Sequence, residues 1–257
     1  MAKGFFVTGT DTGVGKTVIT AALIQAIRLL GIKVCGMKPI ETGCLKSEFG
    51  VRRSGFGVHP HEAEALRVKD RVLIPSDGMF LKKMAGMDDP IDLVIPIRLE
   101  NPLAPFPASE IEDIPVDIEK IRKAYAELSK KYGVVVAEGI GGLFVPLKRD
   151  YFLLDLARDF ALPIIVVSRP GLGTINHTML TVNCAIKEGL TVAGIIINYS
   201  QPPKDTPSEK TNPEVIKQIS PVPIIGIFPY LEDIARTTIE KAAVKNLDIE
   251  RIRKYLF

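Results

Sequence analysis

The sequence predicts an α/β fold in which a single, doubly wound, mostly parallel sheet carries helices on both faces. Short apolar segments alternate along the chain with longer segments of helical periodicity, as they do in proteins built from repeated β-α units. Three apolar segments, residues 134–137, 164–167 and 194–197, are continuous rather than alternating. Continuous apolar runs are typical of parallel strands that are buried on both faces.

The predicted elements follow one another as strand and helix from the first residues onward. Each predicted strand is a short apolar run, and each predicted helix carries apolar residues at helical spacing. The predicted strands span residues 4–8, 33–38, 93–98, 133–138, 163–168, 191–198 and 223–228. The predicted helices span residues 15–30, 77–85, 117–131, 153–160, 174–188, 212–219 and about 248–255.

Two polar segments interrupt this alternation. Residues 42–75 show little periodicity apart from one short helical stretch at 61–68, and residues 200–211 are rich in proline and polar side chains. Strands of the same predicted sheet lie on both sides of each segment, so we expect loops rather than domain linkers. The sequence therefore predicts one domain over residues 1–257.

Composition narrows the class of protein. The chain has 257 residues, 46% of them apolar, and a net charge of only +3 without a basic block, so neither nucleic acid nor a membrane surface is an expected partner. No apolar run approaches transmembrane length, and the first strand starts without a secretory leader. The three cysteines show no metal-binding spacing, and their odd number argues against a disulfide framework. We expect a cytoplasmic protein.

Residues 9–17 read Gly-Thr-Asp-Thr-Gly-Val-Gly-Lys-Thr and lie between the first predicted strand and the first predicted helix. Glycines allow the backbone N–H groups to surround a phosphate, and the helix N-terminus adds partial positive charge. A lysine at this place reaches the β- and γ-phosphates, and the following hydroxyl can bind Mg²⁺. The first glycine stands one residue too early for the strict motif, so we predict a variant phosphate loop and a fold of the P-loop NTPase type. The predicted nucleotide-binding residues of this loop are Gly13, Val14, Gly15, Lys16 and Thr17.

Other predicted strands also end in chemically useful side chains. Lys38 closes the second strand and Thr42 follows four residues later, while Glu138 closes a strand of apolar residues and Asp77 precedes a helix. Because ligands of such sheets bind beyond the carboxyl ends of the strands, we expect Lys38, Thr42 and Glu138 near the phosphate loop. A carboxylate at position 138 opposite Thr17 is suited to hold Mg²⁺ directly or through water. A second lysine near the γ-phosphate suits a reaction in which charge builds on two groups at once.

The chain resembles the dethiobiotin synthetase family over nearly its whole length. The similarity rests on the phosphate loop, on Lys38-Pro39 with Thr42-Gly43, on Ser76-Asp77, and on segments 101–105, 138–147, 173–177, 194–198 and 226–230. The resemblance implies an ATP- and Mg²⁺-dependent ring closure in biotin synthesis, with 7,8-diaminononanoate and CO₂ or bicarbonate as the other substrates. One amine captures CO₂ as a carbamate, the carbamate takes the γ-phosphoryl group, and the second amine displaces phosphate to form the cyclic urea.

The resemblance also implies roles for individual residues. Lys16, Lys38 and Thr12 would act in catalysis, and Thr17, Asp77 and Glu138 would hold Mg²⁺. The adenine would be read by Asn198 and lined by Pro229. Family members are homodimers, so the substrate carboxylate is expected at a helix N-terminus of the partner subunit. The residues expected to bind substrate are Thr42, Gly171, Gly173 and Asn176.

The sequence departs from the family pattern in two places. Some relatives carry a glutamate where Gly13 stands, so this position receives no acid–base role here. The segment between Thr42 and Asp77 is longer than the family pattern and contains Glu62 and Glu64, which leaves either of these as an alternative metal-site carboxylate. A His59-Pro60-His61 cluster lies in the same segment and is interpreted as a solvated loop, since its spacing gives no converging ligands.

Two other classes of P-loop protein compete with this interpretation. A ligase of the cobyrinate amidation type usually has a longer chain with a glutaminase domain, and no candidate nucleophilic cysteine stands at a strand–turn–helix elbow here. A nucleotide-switched partitioning ATPase carries an extra lysine early in its phosphate loop. The chain has no lysine between Gly9 and Gly15, which counts against the switch.

Overall fold

The computed structural model describes residues 3–47, 66–69 and 71–257. In these ranges the strands are β1 Lys3–Gly9, β2 Val34–Met37, β3 Ile40–Glu41, β4 Leu45–Ser47, β5 Arg67–Val68, β6 Arg71–Ile74, β7 Ile97–Arg98, β8 Val134–Glu138, β9 Pro146–Lys148, β10 Tyr151–Phe152, β11 Ile164–Ser168, β12 Val192–Asn198 and β13 Ile224–Phe228. The helices are α1 Lys16–Leu29, α2 Ser76–Ala85, α3 Ile91–Val94, α4 Pro105–Glu112, α5 Ile118–Tyr132, α6 Leu153–Phe160, α7 Thr174–Lys187, α8 Pro207–Ile219, α9 Arg236–Asn246 and α10 Ile249–Lys254.

A six-stranded sheet forms the centre of the molecule, with the strand order β13-β12-β11-β1-β8-β2. All of its neighbouring pairs are parallel. Every residue of β8, β11 and β12 is buried, which explains their continuous apolar sequences. The predicted parallel α/β sheet is confirmed, and its strand ends share one edge.

Helices cover both faces of this sheet. Phe5 and Phe6 are successive residues of β1, so their side chains point to opposite faces. The ring of Phe5 contacts Tyr255 beyond the end of α10, with 5.8 Å between ring centroids, and α1 packs on α2, α9 and α10. The ring of Phe6 contacts Phe160 of α6, again at 5.8 Å, and Phe160 stacks on Tyr125 of α5 at 3.9 Å.

The predicted strand at residues 93–98 is wrong. The chain forms the short helix α3 there and then the two-residue strand β7, which pairs with β3 in a separate small sheet. Val94, Ile95 and Ile97 are buried, and a short apolar run of this kind fits a buried helix as well as a strand. Pro96 has no N–H group to donate to a ladder, so a strand could not run through this segment without a break.

Besides α3, three helical segments differ from the prediction, and Arg67 and Val68, at the end of the stretch predicted as helical over 61–68, form strand β5. Helices α4 and α9 were not predicted, and α8 begins at Pro207, inside the segment that was predicted to be a loop. Both α4 and α8 carry proline in the first turn, where the missing N–H group costs nothing. The side chain of Thr206 caps α8 by accepting a hydrogen bond from the N–H of Glu209 at 3.3 Å. No helix of the described residues is long and apolar enough to cross a membrane.

Candidate nucleotide and substrate site

A cavity of about 860 Å³ lies at the carboxyl edge of the central sheet. The cavity runs across the ends of the strands. The segments after β13 and β12 line one end of it, the segment after β2 lines the other end, and the phosphate loop lies between them. Most of the predicted site residues line it, as expected for a sheet of this kind. These residues are Thr12, Gly13, Gly15, Lys16, Thr17, Lys38, Thr42, Asp77, Glu138, Asn198 and Pro229.

The phosphate loop is held in its conformation by two glycines and one asparagine. Gly13 and Gly15 have φ angles of 77° and 85°, which residues with a Cβ atom rarely adopt. The amide nitrogen of Asn198, at the end of β12, donates a hydrogen bond of 2.8 Å to the carbonyl oxygen of Val14. A Cβ atom on Gly15 would overlap this amide nitrogen, so both the turn and its brace require glycine.

Lys16 is the first residue of α1, and its side chain is largely buried in the cavity wall. Its ammonium donates a hydrogen bond of 3.4 Å to the carbonyl oxygen of Asp11. Burial lowers the pKa of Lys16 to about 8, with the charge of Glu138 opposing this shift and that of Lys38 adding to it. The side chain is therefore still largely a cation at neutral pH.

Lys38 and Glu138 form a buried ion pair beside the phosphate loop. The ammonium of Lys38 contacts Oε1 of Glu138 and lies 3.2 Å from Oδ2 of Asp77. The hydroxyl of Thr17 donates to the same Oε1 atom at 3.0 Å. Burial alone would lower the pKa of Lys38, but the charges of Glu138 and Asp77 outweigh it and raise the pKa above its ordinary value.

The residues of this cluster fit a divalent cation. Oε2 of Glu138 is buried and has no hydrogen-bond partner among the described residues, so this oxygen has the capacity to accept a further contact. Asp77 has a half-exposed carboxylate, and Thr17 adds a hydroxyl oxygen, both of which are donors that Mg²⁺ accepts. No group of three His, Cys, Asp or Glu side chains within residues 3–47, 66–69 and 71–257 forms a metal cluster. A cation here would therefore depend on Thr17 and on ligand oxygens as well.

Sequence reasoning missed Glu41, a buried carboxylate in the cavity wall. Its two oxygens accept hydrogen bonds from the N–H groups of Asp77 at 3.0 Å and of Gly78 at 2.9 Å, at the start of α2. A Cβ atom on Gly78 would overlap the side chain of Ile95, so only glycine allows the backbone of α2 to lie this close to Ile95. Burial raises the pKa of Glu41 to about 7, although Lys38 opposes the shift. Glu41 thus fixes the backbone that carries Asp77.

Three predicted substrate residues lie apart from the cavity. Gly171, Gly173 and Asn176 are at the N-terminus of α7 and are not among the described residues that line the cavity. Leu172 between them is 84% exposed. The alternative metal carboxylates Glu62 and Glu64, with His59 and His61, lie outside the described residues.

Comparison with known proteins decides the family. The family described as "AAA domain" matches residues 3–238. The ATP-dependent dethiobiotin synthetase BioD of Thermodesulfovibrio yellowstonii is 47% identical over 98% of this chain and 99% of its own length. The chain belongs to the ATP-dependent dethiobiotin synthetase family. A synthetase of this family from Methanocaldococcus jannaschii is 36% identical over 89% of this chain and 94% of its own length.

Solved structures of more distant proteins share the fold with this synthetase family. The MinC:MinD cell division protein complex of Aquifex aeolicus matches with a TM-score of 0.54 at 16% identity, over 98% of this chain and 95% of that chain. A ParA family ATPase from Chlorobium tepidum TLS matches with a TM-score of 0.50 at 13% identity, over 100% of this chain and 97% of that chain. At such identities the likeness concerns the fold alone. It confirms the predicted α/β fold of the P-loop NTPase type.

Proposed function

We propose that this chain converts 7,8-diaminononanoate, CO₂ and ATP into dethiobiotin, ADP and phosphate. The observation that carries the proposal is the pair of buried lysines, Lys16 and Lys38, which line one cavity together with Glu138. Two cations in the cavity that contains the phosphate loop suit a reaction that joins a phosphoryl group to a second anion. The family membership of the whole chain agrees with this chemistry.

The reaction divides into three balanced steps. One amine of the substrate adds to CO₂ and loses a proton, which gives a carbamate. A carbamate oxygen then attacks the γ-phosphorus of ATP, so that an oxygen–phosphorus bond forms, the bond to ADP breaks, and a carbamic-phosphoric anhydride results. The second amine attacks the carbamate carbon, releases inorganic phosphate and a proton, and closes the cyclic urea.

Each step needs charge neutralisation that the cavity residues can supply. The backbone N–H groups of residues 13–16 would surround the phosphates, and Lys16 would lie against the γ-phosphate. Lys38 would contact the carbamate and the transferred phosphoryl group together, which lowers the repulsion between these two anions. Thr12 and Thr42 would donate hydrogen bonds to the carbamate or phosphoryl oxygens.

We assign the Mg²⁺ ligands to Thr17, Asp77 and Glu138, as the donor set allows. When bound, Mg²⁺ would neutralise charge on the β- and γ-phosphates. Glu41 would hold Asp77 in place through the backbone of α2. Asn198 and Pro229 are proposed to contact the adenine, although the amide of Asn198 also braces the phosphate loop.

We also propose a cytoplasmic homodimer. Leu172, just before α7, and Leu180, in the middle of that helix, are 84% and 62% exposed, and exposed apolar side chains of this kind suit contact with a second copy of the chain. Gly171, Gly173 and Asn176 of one subunit would then receive the substrate carboxylate of the other, at the positive end of the helix. The cysteines Cys35, Cys44 and Cys184 are free thiols, which fits a reducing compartment.

The test is phosphate release from ATP and Mg²⁺, measured with and without 7,8-diaminononanoate and bicarbonate. We expect phosphate release that requires the diamine. The mass of the product should exceed that of the diamine by the mass of CO₂ minus the mass of water. ATP hydrolysis that is indifferent to the diamine would overturn the proposal and would favour a ligase of another substrate class or a nucleotide switch.

A further inference from the structure

Glu112, the last residue of α4, is a buried carboxylate whose oxygens all bind one loop. Oε2 accepts a hydrogen bond of 3.0 Å from the N–H of Glu100. Oε1 accepts two more from Asn101, at 2.8 Å from its N–H and at 2.9 Å from its side-chain amide. The mechanism proposed above gives this residue no role.

The position of Glu112 makes its charge costly. The residue is 7% exposed, and it stands at the C-terminal end of a helix, where the helix dipole disfavours an anion. A buried carboxylate is tolerated when hydrogen-bond donors replace its water. All of the described donors to the carboxylate come from residues 100 and 101. The hydrogen bonds that offset the cost of burying Glu112 therefore also hold this loop.

The loop that Glu112 holds, residues 100–104, forms part of the cavity wall. Pro102, Leu103 and Ala104 line the cavity at the end beyond β2, opposite the segments that follow β12 and β13. The N–H of Gly43 donates a hydrogen bond of 3.3 Å to the carbonyl oxygen of Asn101, so the loop lies directly beside Thr42. A Cβ atom on Gly43 would approach Pro102 to 3.3 Å, which shows how closely the two segments pack.

Other contacts hold the two ends of the loop: Arg71 forms an ion pair of 2.8 Å with Glu100, and the carbonyl oxygen of Ala104 accepts a hydrogen bond of 3.1 Å from the N–H of Ala108. Pro102 has no N–H group, and the N–H of Leu103 bonds only back to Asn101 at 2.8 Å. The side chain of Leu103 is 43% exposed. The carboxylate of Glu112 therefore supplies three of the hydrogen bonds that fix where this apolar wall stands.

We infer that Glu112 is a positioning residue for the diamine substrate, because its carboxylate holds loop 100–104 against Thr42. The three apolar side chains of that wall suit the aliphatic chain of a long diamino acid. Glu112 reaches the substrate only through the loop. The inference rests on the proposed function, and it predicts an effect at the diamine end of the cavity alone.

The experiment compares Glu112→Gln with the wild-type protein by measuring kcat and KM for the diamine and for ATP. A glutamine amide would face the N–H of Glu100 or those of Asn101, so at least one hydrogen bond is replaced by a clash of two donors. We expect KM for the diamine to rise about tenfold or more, as for loss of one or two bonds to a charged acceptor. KM for ATP should stay within about twofold, since the distant end of the cavity is independent.

A matched control separates positioning from general destabilisation. Asp117→Ala removes another carboxylate that binds a backbone N–H, that of Lys120 at 3.0 Å, at the start of α5 and away from the cavity lining. This variant should leave both KM values unchanged. Asn101→Ala removes only the side-chain bond to Glu112, so it should raise KM for the diamine in the same direction by a smaller factor, and it tests the inference even if Glu112→Gln fails to fold.

The outcomes are distinct. Equal changes in both KM values, or a diamine KM that rises as much in Asp117→Ala as in Glu112→Gln, would overturn the positioning role while leaving the proposed function intact. An unchanged diamine KM in Asn101→Ala and in a folded Glu112→Gln would do the same. Wild-type protein that releases no diamine-dependent phosphate would overturn the proposed function, and this inference with it.

Discussion

Replacement of Lys38 by methionine should separate two roles of this lysine, in stability and in turnover. Methionine keeps much of the length and apolar volume of the side chain but removes the ammonium. Glu138 would then be left almost fully buried, with the Thr17 hydroxyl as its one remaining described donor, at 3.0 Å. A buried carboxylate without its counter-charge is strongly destabilising.

The size of this effect follows from the burial of both partners. The side chains of Lys38 and Glu138 are 5% and 1% exposed, so solvent screening is weak. Breaking such a pair by removing one partner costs about 3–5 kcal/mol. A second substitution, Glu138→Gln, removes the stranded charge, so the double variant should regain most of that loss. Turnover should not return, because the cation that faces the reacting anions is still missing, at a cost of about 10²–10³ in kcat.

The assay combines urea unfolding with diamine-dependent phosphate release for the wild type, Lys38→Met and the double variant. Lys131→Met serves as a control, since it breaks the ion pair of 2.6 Å with buried Asp89 far from the cavity lining. The control should lose stability and keep its turnover. Wild-type turnover in Lys38→Met would refute the two-lysine mechanism, and equal stability of the single and double variants would refute the argument from the buried pair.

Three further predictions concern the phosphate loop and acid stability. Gly15→Ala places a Cβ atom against Asn198 at a φ of 85° and should weaken ATP binding, measured by calorimetry, about a hundredfold. Gly13→Ala, at a φ of 77° but with open space among the described residues, should weaken ATP binding only about tenfold. Equal losses in the two variants would contradict the predicted overlap with Asn198. Asn198→Ala removes the bond to the loop carbonyl and should weaken ATP and GTP by the same factor of about 10 in competition binding, while a loss confined to ATP would instead indicate adenine recognition. Burial would raise the pKa of Asp89, but hydrogen bonds from Lys131 and Tyr132 outweigh it and hold the pKa below its ordinary value of 3.8. The stabilisation from Asp89 is thus present above about pH 4 and is lost as the pH falls further. In Asp89→Asn, the free energy of unfolding in urea should therefore fall less steeply than in the wild type between about pH 4 and 2. A slope equal to that of the wild type would contradict this prediction.

The sequence predicts the sheet well because burial on both faces leaves a local mark. Residues of β8, β11 and β12 are apolar without interruption, and all three strands were predicted in the right place. Residues 93–98 are also mostly apolar, yet they form the end of α3 and the strand β7. Periodicity alone cannot separate a buried helical turn from a buried strand, and here proline at both ends of α3 decides the outcome.

The phosphate loop could be predicted because its chemistry lies in nine successive residues. Lys38 and Glu138 were predicted from the ends of strands and Asp77 from the resemblance to the family, and the structure brings all three into one cavity. Glu41 and Glu112 carry no such local signal. Each binds backbone N–H groups that are eleven to thirty-seven positions away, so their partners are defined by the tertiary fold.

One atom, Oε1 of Glu138, contacts both Thr17 at the start of α1 and Lys38 at the end of β2. A ligand that changes the position or charge of either partner therefore changes the surroundings of the other. If binding at the nucleotide end alters affinity at the diamine end by some factor, thermodynamic linkage requires the diamine to alter nucleotide affinity by the same factor. Any coupling that passes through this carboxylate is therefore equal in both directions.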